Sequence, residues 1–230
     1  MEDLEIYLSH TAAIESDHPA IIETARMVTE GCRNDTERVV KLFYFVRDSI
    51  HYNIYMISVF LEDFKAATIL ERGKGYCVQK AVLLTTLGRA AGIPSRLAFA
   101  AIRNHKMPAH VIEIMGGNIA PRHGYNQFFL EGKWVTAAPT FDRELCEKIG
   151  VPTVEFDGIH DAMLPEKDLS GGPYIEYVKK FGFFADLPLE WIAARISKIW
   201  GSDKRAWLDK RESGTMAQSN FQFALSLDGK

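Results

Sequence analysis

Cys77 stands where a thiolate is favoured: it follows Gly73-Lys74-Gly75-Tyr76 and opens a long apolar stretch. At a helix start, unpaired backbone N–H groups and the positive end of the helix dipole stabilise negative charge on sulfur. Gly73 and Gly75 permit a sharp turn and let the backbone approach a substrate with no side chain in the way. Downstream, His123 heads the aromatic segment Gly124-Tyr125-Asn126-Gln127-Phe128. An imidazole can serve a thiolate as partner and proton donor, so Cys77 with a downstream histidine has the parts of a thiol nucleophile. The other two cysteines, Cys32 and Cys146, show no CxxC spacing, which suggests packing rather than a disulfide framework or a zinc site. His105 and His110 are spaced for neither one helix face nor one strand face, and no metal is expected.

These residues need a rigid frame, and the apolar pattern supplies one. Helical spacing predicts helices ending near Gly31 and Ile50, the second capped by Asn34-Asp35-Thr36. Residues 51–58 read as extended, and a short helix follows Asp63. From 77 to 91 the chain is apolar on nearly every side, so this helix is expected to be central and buried. Gly92-Ile93-Pro94 ends it, and strands are predicted over 95–102, 110–114, 125–130 and 133–136, the last two joined by a turn at Glu131-Gly132. Helices preceding an antiparallel sheet indicate an α+β fold rather than an alternating parallel one. Further helices are predicted over 143–149, 174–181, 189–200 and 204–210.

A composition of 47% hydrophobic and 25% charged residues is ordinary for a globular chain of 230 residues, long enough for one sizeable core. The expected organisation is a domain over residues 1–165 with a C-terminal helical extension over 166–230 packed on it. A formal charge of -3 with no basic stripe gives no electrostatic reason to expect nucleic acid or an anionic membrane as partner. The start, Met1-Glu2-Asp3-Leu4-Glu5, lacks the basic and apolar parts of a secretory signal, and no segment approaches the roughly 20 apolar residues of a membrane span. A cytoplasmic protein whose partners are small molecules or proteins is the resulting expectation.

Several motifs together amount to a family resemblance. Residues 66–70, the run Gly73-Lys74-Gly75-Tyr76-Cys77, Arg89 and Gly92-Ile93-Pro94-Ser95-Arg96 resemble the nucleophile region of the transglutaminase-like superfamily. His123 to Phe128 with Glu131-Gly132-Lys133-Trp134-Val135 is similar to its histidine strand and the strand after it, and Pro139-Thr140 to the end of its acidic motif. The resemblance covers residues 36–142. It implies a papain-like core with N-terminal helices and a central nucleophile helix packed on an antiparallel sheet. It also implies acyl transfer at amides through a thioester, needing no cofactor.

The chain departs from the family where an acid normally precedes Pro-Thr, because Ala138 stands there. The carboxylate nearest that motif is Asp142, which would orient His123 if the chain curls back; it is also placed to cap the helix that begins at Arg143. Asn126 and Gln127 are the amide alternatives. For the oxyanion, the Cys77 N–H and the Tyr52 side chain are the expected donors, with Tyr76 shaping the cleft. Without an acid, the alternative is a catalytically impaired module that binds a peptide or partner protein in the old cleft.

Overall fold

The computed structural model describes residues 3–200. Two amphipathic helices come first, α1 (Pro19–Val28) and α2 (Asp35–Ser49). The latter starts at Asn34, whose side chain accepts the Glu37 N–H at 2.8 Å. A two-residue strand β1 (His51–Tyr52), helix α3 (Ala66–Arg72) and a matching strand β2 (Lys74–Gly75) lead into α4 (Cys77–Ala90). Every residue of α4 from Cys77 to Arg89 is buried. It is surrounded by α1, α2 and α3 and packs on the sheet strands β3 (Ser95–Asn104) and β4 (Ile119–Leu130). Helix α5 (Ala109–Met115) connects those strands. Strand β5 (Lys133–Ala137), helix α6 (Arg143–Ile149), strand β6 (Ile175–Phe184) and helix α7 (Leu189–Trp200) follow. The antiparallel sheet runs β5-β4-β3-β6, giving the α+β architecture expected.

A helix buried all round must satisfy its polar groups internally, and α4 does so by tying its neighbours together. The Lys80 ammonium donates to the carbonyls of Arg47 and Ile50 at 2.9 and 2.6 Å, closing the C-terminal end of α2, and burial pulls its pKa down to about 7. Asn126 of β4 donates to Ala81 O at 2.7 Å and Thr85 Oγ1 at 2.8 Å, strapping the sheet to the helix. Arg89 bonds the carbonyls of Ser9, Ser95 and Ala185, gathering three distant segments.

Three segments differ from expectation. Residues 110–114, expected as a strand, lie in α5; Pro108 occupies its N-cap and Gly116, at φ 70°, ends it in the left-handed conformation that glycine adopts freely. Residues 174–181, expected as a helix, lie mainly in β6, which pairs with β3 and so adds an edge strand to the same sheet. Residues 51–58 hold β1 and a 3-10 turn over Ile54–Met56 rather than a continuous strand. The helix expected over 204–210 lies outside the described residues. Among the described residues no helix is long and apolar enough to cross a membrane.

Candidate active site

The start of α4 is fixed from two sides. Gly73 closes α3 at φ +63°, and β1 then pairs with β2 in parallel, His51 N–H donating to Gly73 O at 2.9 Å and Asn53 N–H to Gly75 O at 3.0 Å. Tyr52 therefore lies beside Gly75, two residues before Cys77. A Cβ at Gly75 would lie 3.0 Å from the Gln79 Cβ, so any larger residue there would have to push the Gln79 side chain aside. Gln79 accepts the Tyr76 N–H at 3.1 Å and donates to Asp63 O at 2.8 Å, which anchors the first turn. Cys77 is thereby the first residue of the helix.

His123 reaches the same place along β4, opposite Ala100 of β3. The next residue, Gly124, rests on the helix: a Cβ there would lie 3.0 Å from the Val78 Cα. This close approach lets the Gly124 N–H act on the Cys77 sulfur together with the N–H groups of Val78 and Cys77, all three favouring the thiolate. Gly124→Val should destabilise the fold by about 1–3 kcal/mol through overpacking. It should also lower kcat/KM by roughly tenfold or more as that donor is displaced. Thermal unfolding and steady-state kinetics on Gly124→Ala and Gly124→Val would show a graded effect; an unchanged valine variant would remove this role for the glycine.

Cys77, His123, Tyr52 and Thr140 line one cavity of about 410 Å³. Burial dominates its electrostatics. It pushes the Cys77 thiol up to about 11 against the pull of the three N–H groups, and the His123 imidazole down to about 3. The pair therefore rests as thiol and neutral imidazole. The imidazole lies nearly parallel to the Tyr125 ring, centroids 5.9 Å apart, with Tyr177 edge-on at 6.1 Å. Its Nε2 is buried and has no hydrogen-bond partner among the described residues, and the Thr140 hydroxyl is in the same condition.

Asp142 does not supply that partner, which corrects the expected Cys-His-Asp set. Its two oxygens accept the Leu145 N–H at 3.0 Å and the Tyr52 N–H at 2.8 Å, so it caps α6 and holds β1 in place. It lines a separate, more polar groove beyond Tyr52. Neither amide alternative serves either: Asn126 is committed to α4, and Gln127 accepts from Arg96 at 3.0 Å and donates to Thr136 at 3.1 Å. Tyr52 lines the cavity with Cys77. Tyr76 instead lines a small recess on another flank of Cys77, together with Ile192 and Ile196 of α7, and its buried hydroxyl has no partner among the described residues. Among the described residues no group of three or more His, Cys, Asp or Glu side chains gathers as metal ligands.

The sequence left most of the cavity wall unread. Ala109 and Val111 enter it from α5, where a strand was expected, and the Pro108 and Gly116 punctuation was the available signal. Leu145 and Ile149 enter from α6, and no local pattern ties that helix to Cys77.

Comparison with known proteins bears on this arrangement. The family model described as the transglutaminase-like superfamily matches residues 22–139. A solved structure titled "a Putative Cysteine Protease from Cytophaga hutchinsonii" is 14% identical with a TM-score of 0.49, over 80% of this chain and 55% of that one. The periplasmic domain of TgpA from Pseudomonas aeruginosa is 17% identical with a TM-score of 0.43, over 60% of this chain and 48% of that one. The chain thus spans about half the length of these two structures. No curated protein matches the sequence.

Proposed function

Because the chain belongs to the transglutaminase-like superfamily, we propose that it is a cysteine-dependent acyl-transfer enzyme acting on the amide bond of a peptide-like or small substrate. The observation that carries this reading is the shared cavity of Cys77, at a helix N-terminus, and His123, on the strand packed against that helix. His123 takes the thiol proton as the Cys77 sulfur bonds to the carbonyl carbon. The Cys77 N–H and the Tyr52 hydroxyl face the oxyanion that forms. The C–N bond then breaks, the imidazolium gives its proton to the departing amine, and a thioester remains. Water or a second amine attacks the thioester with His123 again as base, which yields hydrolysis or transfer.

A second reading has one specific observation behind it: with Ala138 in the acid position, the His123 Nε2 lacks a partner, as in a module that binds a ligand without turning it over. Alkylation kinetics separate the two. A thiol of pKa about 11 acting alone labels with iodoacetamide ten times more slowly for each pH unit below that value. Proton transfer from the thiol to the imidazole adds a route that does not depend on pH between the two pKa values, so a thiol assisted by His123 labels faster and with a shallower pH dependence than a thiol alone. The wild type is expected to label faster, and with a shallower pH dependence from pH 5 to 8, than His123→Ala, each followed at Cys77 by peptide mass spectrometry. Identical profiles would favour the binding module.

A further inference from the structure

Most of the cavity beside Cys77 is apolar. Ile102 and Ala120 come from the sheet, Val111 from α5, Phe141 from the loop after β5, and Leu145 and Ile149 from α6. Ile102, Val111 and Phe141 are buried, so the wall is built into the core. The basic side chains at its edge already have partners: Lys106 pairs with Asp168 at 2.7 Å, and His110 Nε2 hydrogen-bonds the Tyr55 hydroxyl at 2.8 Å. At about 410 Å³ the space is in the range that takes a small molecule. A peptide backbone alone would leave this volume empty, the described lining holds no carboxylate for a cationic side chain, and an anionic one would have to compete with Asp168 for Lys106.

Resting on the reading of Cys77 as nucleophile, we propose that this cavity is the acyl subsite and selects a bulky apolar acyl group, aromatic or extended aliphatic, over a short or charged one. The polar groove beyond Tyr52, lined by His51, Asn53 and Lys74, lies outside the acyl subsite. Each methylene buried contributes roughly fourfold in affinity, so a six-carbon chain gains up to about 10²-fold over a two-carbon one.

Four p-nitrophenyl esters test this: acetate, hexanoate, phenylacetate and hemisuccinate, each assayed with wild type, Cys77→Ala and Leu145→Trp. The sulfur bonds to the carbonyl carbon, the C–O bond to p-nitrophenolate breaks, and water hydrolyses the thioester to the free acid. Expected is Cys77-dependent release with hexanoate and phenylacetate about 10²-fold above acetate in kcat/KM, hemisuccinate lowest, and a preference cut at least tenfold by Leu145→Trp. Cys77-dependent release that is equal for all four, or best with acetate or hemisuccinate, overturns the acyl-subsite proposal and leaves the nucleophile in place. Release that is the same in Cys77→Ala for every ester removes the nucleophile reading, and the proposal with it.

Discussion

Cys77→Ala is expected to lower amide turnover by about 10⁴-fold or more while leaving the fold intact. Alanine is the best helix former and fits the first turn of α4, where Cys77 is only 8% exposed, so the loss would be chemical. A serine should rescue little, because an imidazole held near 3 is a poor base for an alcohol far less acidic than a thiol. Nucleophile and base act as one unit, so the double variant Cys77→Ala/His123→Ala should be no slower than either single one. The check is kcat/KM for Cys77→Ala, Cys77→Ser, His123→Ala and the double variant on one substrate, with circular dichroism to confirm folding. A Cys77→Ala variant within tenfold of wild type would show that the sulfur forms no bond to substrate. Additive losses in the double variant would show that His123 acts apart from Cys77.

What was legible in the chain follows from how local each signal is. Cys77 on a buried helix could be read directly, because the glycines, the turn and the apolar run that place it occupy one stretch of sequence. His123 could be placed on a strand from its aromatic neighbours and its motif. Asp142 illustrates where locality ends: an Asp before a helix start and a triad acid look alike in sequence, and only the bonds to Leu145 and Tyr52 decide between them. The run Val111-Ile112-Glu113-Ile114 suits a strand or a helix by composition, and the caps at Pro108 and Gly116 decide for the helix. For β6 the decision is not local at all, since pairing along the edge of β3 overrides the helical reading of residues 174–181. The cavity itself is assembled from segments between Tyr52 and Ile149, so its apolar character emerges only after folding.

Among the described residues the His123 Nε2 has no hydrogen-bond partner, and position 138, where the family resemblance leads one to expect an acid, is alanine. In the β4–β5 ladder Gln127 faces Thr136 and Asn126 faces Ala137. One further step puts Ala138 opposite Tyr125, on the sheet face that carries His123, as its diagonal neighbour. Ala138→Asp is therefore expected to place a carboxylate within reach of the imidazole. A carboxylate near a histidine favours the charged form, so the His123 pKa should rise from about 3 towards its ordinary value of 6.5. The thiolate–imidazolium pair then becomes accessible before substrate binds. Loss of the orienting acid from a complete triad costs up to about 10⁴-fold, and a gain of roughly 10²-fold in kcat/KM is a reasonable share of that for a site whose surroundings have not adapted. The cost falls on stability: Ala138 is fully buried, and a carboxylate there loses water for one partner, which should lower the unfolding free energy by about 1–3 kcal/mol. Ala138→Asn separates orientation from charge, since the amide can accept from Nε2–H but cannot stabilise the imidazolium, and it should give a smaller gain. NMR titration of His123 with steady-state kinetics on both variants would test the whole chain of argument. A folded Ala138→Asp protein whose His123 pKa rises without any gain in turnover would mean that the missing acid is not what limits this site.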